Sequence, residues 1–116
     1  MIRIYHNPQC KKSRAGLNYL QQSGHSFEVV EYLKNPLNAS QLKDLISKTG
    51  LSPKALIRTQ EDIFKTLYKG KDLTDDQWIE AIAAHPKLLK RPLIETERKA
   101  VLADPPEQAD RILQTT

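Results

Sequence analysis

The single cysteine of this 116-residue chain, Cys10, stands in the string His6-Asn7-Pro8-Gln9-Cys10-Lys11-Lys12-Ser13-Arg14. One cysteine forms no disulfide within the chain and supplies no cysteine-rich zinc site, so no metal is expected. Any redox cycle must therefore recruit a second thiol from outside. Where a strand gives way to a helix, unpaired backbone N–H groups and the positive end of the helix dipole favour a thiolate. Lys11, Lys12 and Arg14 add positive charge beside it. Cys10 reads either as an activated nucleophile or as a small buried hydrophobe. The same loop offers an oxyanion several donors: backbone amides, the Ser13 hydroxyl and the Arg14 guanidinium. Each has a plainer use, Ser13 in satisfying the first helical turn and Arg14 as a solvated surface residue. His6 reads as a base or as a half-buried, satisfied histidine.

The elements that must position this loop follow from the pattern around it. Ile2-Arg3-Ile4-Tyr5-His6 has the composition of a strand and stops at Asn7-Pro8. From Lys11 a helix is expected, with Ala15, Leu17 and Leu20 on its apolar face and Ser23-Gly24 at its end. A second strand is expected over 27–32, giving a right-handed parallel βαβ unit. Leu42, Leu45 and Ile46 follow the possible cap Ser40 and end at Gly50. Ser52-Pro53 restarts a helix, and Thr74 to Gln77 has capping-box spacing before Trp78, Ile79 and Ile82. Arg91-Pro92-Leu93-Ile94-Glu95 and Ala100-Val101-Leu102 read as an antiparallel hairpin. Asp104 then reads as an N-cap, Pro105 as the first helical residue, and Ala109, Ile112 and Leu113 as the apolar face. The order predicts an α/β fold, βαβ then ββα, with a mixed four-stranded, thioredoxin-like sheet. One domain over residues 1–116 is expected, with a helical insertion at about 38–90.

Composition limits the function. Eighteen Lys and Arg against fourteen Asp and Glu give a net charge of +4. The basic residues are scattered rather than gathered with aromatics on one face, which disfavours nucleic acid and suits a small anion. No apolar run is long enough to span a membrane, and His6-Asn7-Pro8 interrupts the N-terminal apolar residues, so a cytoplasmic protein is expected.

The loop string, together with Tyr32-Leu33-Lys34-Asn35-Pro36, Ala55-Leu56-Ile57-Arg58, Leu73 to Gln77, His85-Pro86 and Arg91-Pro92-Leu93-Ile94, resembles the ArsC family of glutathione- and glutaredoxin-coupled arsenate reductases. The resemblance covers nearly the whole chain. It implies a thioredoxin-like fold with a helical insertion and a cis bond before Pro92. It also implies that the Cys10 thiolate attacks arsenate while arginines hold the oxyanion. Arg58 and Arg91 match two of these arginines; at the place of a third stands Asp104. Ser13 and Arg14 join them as oxyanion donors, and His6, Asn7 and Pro92 support the loop. No bound cofactor is expected. Glutathione serves as co-substrate, glutaredoxin as partner, and the protein is expected to be a monomer. Two other readings stand beside this one: a glutathione-dependent thiol reductase or transferase with another substrate, and a non-enzymatic regulator resembling Spx. In the latter family a CxxC switch places its second cysteine where this chain has Ser13.

Overall fold

The structure, a computed structural model, describes residues 1–113. The chain divides into two compact units, one comprising Met1–Asn35 and the chain from Arg91 onward, the other Pro36–Lys90.

The first unit is built on a four-stranded sheet in the order β2-β1-β3-β4, from β1 (Ile2–Tyr5), β2 (Phe27–Val30), β3 (Leu93–Glu95) and β4 (Ala100–Leu102). β1 runs parallel to β2, with Ile4 opposite Val29, and antiparallel to β3, with Ile4 opposite Ile94. β3 and β4 form the expected hairpin, with Ile94 opposite Val101. The helix α1 (Lys11–Gln22) makes the crossover from β1 to β2. Alternation along the strands puts Ile2, Ile4 and Ile94 in one core with Leu20 of α1. Ala109, Ile112 and Leu113 close that core. The last two lie on the short α5 (Asp110–Leu113), which follows a 3₁₀ turn at Pro106–Ala109. On the other sheet face the Tyr5 hydroxyl donates to Glu95 at 2.7 Å.

Three local expectations are corrected. Ala15 is exposed; Leu20 is buried and Leu17 packs against the core as expected, and α1 also buries Ser13 and Gly16. β2 ends at Val30 rather than at residue 32, and Tyr32 is buried in the turn that follows. Asp104 is not a cap: Pro105 occupies that position and Pro106 enters the 3₁₀ turn, because either of two adjacent prolines can open it. The Arg91–Pro92 bond is cis, as the resemblance implies, and so is Asp104–Pro105.

The second unit is helical. α2 (Ala39–Thr49) is capped by Asn38, not Ser40: the Asn38 side chain accepts from the Gln41 amide at 2.8 Å, and Gln41 returns a bond to the Asn38 amide. Gly50 ends α2 at φ +73°, a conformation that a β-carbon would strain. α4 (Asp75–Ala84) carries the capping box at Thr74 that its sequence predicts. α2 packs on α4, and the two helices bury Leu42, Leu45, Ile46, Trp78, Ile79 and Ile82. Between them α3 (Asp62–Leu67), absent from the sequence reading, buries none of its residues. Among the described residues no helix is long and apolar enough to cross a membrane.

Candidate active site

The loop between β1 and α1 is held by its own side chains. The His6 amide donates to Val30 O at 2.9 Å, carrying the loop one step beyond the sheet. Asn7 O then accepts from the Cys10 amide at 3.0 Å, and Asn7 Oδ1 accepts from the Gln9 amide at 3.0 Å. This is an Asx-type turn, the conformation for which asparagine followed by proline is suited. Ser13 is fully buried. Its Oγ accepts from the Asn7 amide at 2.9 Å and lies 2.7 Å from His6 Nδ1. The Arg14 guanidinium donates to Pro8 O at 2.9 Å. Both side chains expected to offer donors to an oxyanion are thus engaged in bracing the loop. What Ser13 offers outward is its backbone N–H.

That N–H points at Cys10. The thiol is half-buried at the N-cap of α1, a position with no side-chain cap and no acid in the first turn. Burial pushes the thiol up, but the Ser13 amide, the Arg91 guanidinium, by hydrogen bond and by charge, and the Lys12 amide together hold it below the usual cysteine value. His6 is shifted the other way from a charged histidine: burial lowers it, so the ring beside Ser13 is neutral near pH 7. Its buried position supports a role in holding Ser13 rather than in exchanging protons with solvent.

Arg91 reaches the sulfur because Pro92 seats against α1. A β-carbon on Gly16 would lie 2.4 Å from Pro92 Cγ, so only glycine permits this approach. The Ala103 amide donates to Pro92 O at 2.9 Å and fixes the other side. Arg91 bonds the thiol, while its Nε is buried without a hydrogen-bond partner among the described residues. Gly16 was missed in the sequence; its only trace there is a glycine inside a helical pattern. Arg58 lies in the second unit. Its amide donates to Leu88 O at 2.7 Å and its guanidinium pairs with Glu61, a partner the sequence did not suggest. Asp104 pairs with Lys12, Oδ2 to Nζ at 3.1 Å.

A depression of about 680 Å³ in the first unit lies at the start of β1, lined by Met1, His25, Ser26 and residues 96–99. The Cys10 loop lies beyond the other end of that strand. The loop works as a nest of donors around the sulfur.

A sulfur held toward the thiolate at a helix N-terminus, with a guanidinium beside it, thus stands on a mixed sheet whose order is that of a thioredoxin-like fold. The chain belongs to the ArsC family, which it matches over residues 5–112. It is 41% identical over 114 residues to an arsenate reductase of Neisseria meningitidis serogroup A, covering 97% of each chain. It is 40% identical to a protein of Escherichia coli strain K12 named uncharacterized protein YfgD, covering 97% of this chain and 96% of that one. Among solved structures, an arsenate reductase from Vibrio cholerae superposes with a TM-score of 0.92 at 38% identity, covering 97% of both chains.

Proposed function

We propose that this protein is an arsenate reductase that works through a Cys10 thiolate and takes its electrons from glutathione, with glutaredoxin completing the cycle. The observation that carries the reading is the Arg91 guanidinium: it bonds the sulfur and keeps a buried Nε free of any described protein partner. A planar cation with a donor to spare beside a thiolate suits a tetrahedral oxyanion about to be attacked. The names of the Neisseria and Vibrio relatives support arsenic as the central atom.

The thiolate forms a sulfur–arsenic bond and one arsenate oxygen leaves as water. A first glutathione sulfur attacks the Cys10 sulfur and breaks the sulfur–arsenic bond, whose electron pair leaves with arsenic as arsenous acid. A second thiol, from glutathione or glutaredoxin, then attacks the resulting Cys10–glutathione disulfide and returns Cys10 as the thiolate. In sum, dihydrogen arsenate, two glutathiones and one proton give arsenous acid, glutathione disulfide and water. The second thiol must come from outside, because Cys10 is the single cysteine of the chain. Backbone amides at the start of α1 and Arg91 stabilise charge on the oxyanion as the bond forms. His6, Asn7 and Ser13 hold the loop in place. Arg58 is assigned to the oxyanion by the resemblance, and Arg58→Ala belongs in the same assay. A cytoplasmic location fits a glutathione donor.

The Asp104 carboxylate, held on Lys12 of the first turn of α1, favours keeping a second reading, a glutathione-dependent thiol transferase whose substrate is not an anion. NADPH consumption with glutathione reductase, glutathione and glutaredoxin, with and without arsenate, separates the two. Arsenate-dependent consumption abolished by Cys10→Ser supports the reductase. Consumption that needs a disulfide substrate and ignores arsenate supports the transferase, and neither supports a binding role.

A further inference from the structure

We infer that Lys12 is a binding residue for the oxyanion, and that the anion takes its ammonium in exchange for the Asp104 carboxylate. The inference rests on the reading of Cys10 as an oxyanion-binding thiolate.

Two segments favour the Cys10 thiolate, and a third is tied to them. The Lys12 amide and the Arg91 guanidinium both favour the thiolate, and Ala103, the residue before Asp104, is tied to Pro92 O at 2.9 Å. Asp104 thus follows directly on the segment that is tied to Pro92, beside Arg91, and pairs with a lysine two residues from Cys10. The first turn of α1 carries Lys11, Lys12 and Arg14 and no acid. Cations there oppose the positive end of the helix dipole, so a carboxylate from elsewhere is a favourable neighbour. Asp104 supplies it at 3.1 Å, but the pair is open to water, with the Lys12 side chain 68% and Asp104 36% exposed. Such a pair is weak and is readily broken. A lysine is a point charge on a flexible stem and can turn from one oxygen ligand to another without moving the backbone. Arg14 lacks this freedom, since its guanidinium is committed to Pro8 O. Asp104 both restrains Lys12 and repels an arriving anion, so it sets the affinity threshold of the site.

The test measures the concentration of arsenate, and separately of inorganic phosphate, that halves the rate of Cys10 alkylation. Lys12→Ala should raise that concentration about fivefold or more, the loss of one exposed charge-assisted hydrogen bond. Lys12→Arg should restore most of it. Lys11→Ala removes the same charge from the same turn and should change it less than about twofold, as screened long-range charge does. Asp104→Asn should lower the half-protecting concentration. Equal effects of Lys12→Ala and Lys11→Ala would reduce Lys12 to a general charge and overturn the inference, as would an Asp104→Asn protein that binds anions no better than the wild type. If no oxyanion protects the wild-type thiol, the oxyanion-binding thiolate falls too, and the inference with it.

Discussion

Arg91 acts on the sulfur in two ways, by a hydrogen bond and by its charge, and both favour the thiolate against the burial that opposes it. Alkylation of Cys10 as a function of pH should therefore show a midpoint below that of free cysteine. Arg91→Ala should move it upward, with Arg91→Lys in between because the charge survives without the planar fork. A midpoint unchanged by Arg91→Ala would remove the guanidinium from the account. Ser13 carries a different burden. Ser13→Ala leaves His6 Nδ1 and the Asn7 amide buried without their shared partner and should cost about 1–3 kcal/mol in urea unfolding. His6 itself makes stability depend on pH. Burial lowers its folded pKa beneath the ordinary 6.5, so the unfolded chain binds the proton more readily. Stability contributed by the neutral ring should be intact above 6.5 and fall as the pH drops from there towards the folded value. His6→Asn should flatten that slope in urea midpoints measured from pH 7.5 to 5.

At the scale of the elements, the approach of α1 to the Arg91–Pro92 turn is the contact on which the site depends. Gly16→Ala should gain helix propensity of about 1 kcal/mol yet lose more, because the new methyl meets the ring of Pro92 and overpacking costs about 1–3 kcal/mol. Its signature is twofold: a lower melting temperature and a Cys10 midpoint displaced upward as Arg91 is pushed away. A variant that is more stable and unchanged in reactivity would show that Pro92 yields without cost. Strands, crossover helix and hairpin were legible in the sequence because each depends on local composition: β-branched runs for β1 and β2, a proline at the entry to β3, Gly24 past the end of α1. The location of Cys10 was legible for the same reason. The Gly16–Pro92 contact, the Lys12–Asp104 pair and the Arg58–Glu61 pair were not, since each is a choice of side-chain partner with no periodic signal. α3 escaped notice because six residues give less than two turns, so that Ile63, Phe64 and Leu67 are too few to show a helical period. Asn38 lost to Ser40 as the expected cap although its capping-box spacing to Gln41 was present, two polar residues so close together being equally plausible starts.

The molecule as a whole carries a net charge of +4, with the cations spread along the chain. Anion affinity at Cys10 should therefore combine a local part, resistant to salt, with a diffuse part that screening removes. Half-protection by phosphate should need more phosphate as potassium chloride rises, and the residual affinity at high salt reports the helix amides and Arg91. Chain order adds something that no single contact contains. The first unit is interrupted, its second part beginning at Arg91 after the whole of Pro36–Lys90, and the central strand pairing joins Arg3 to Glu95. A chain built from its N-terminal side carries Cys10 with the amides of α1 beside it before Arg91 has been added. The guanidinium that favours the thiolate follows 81 residues later in the chain, at the entry to β3 and β4, which complete the sheet. Until then the sulfur lacks one of the influences that hold it toward the thiolate, so its ionisation is coupled to the closing of the sheet.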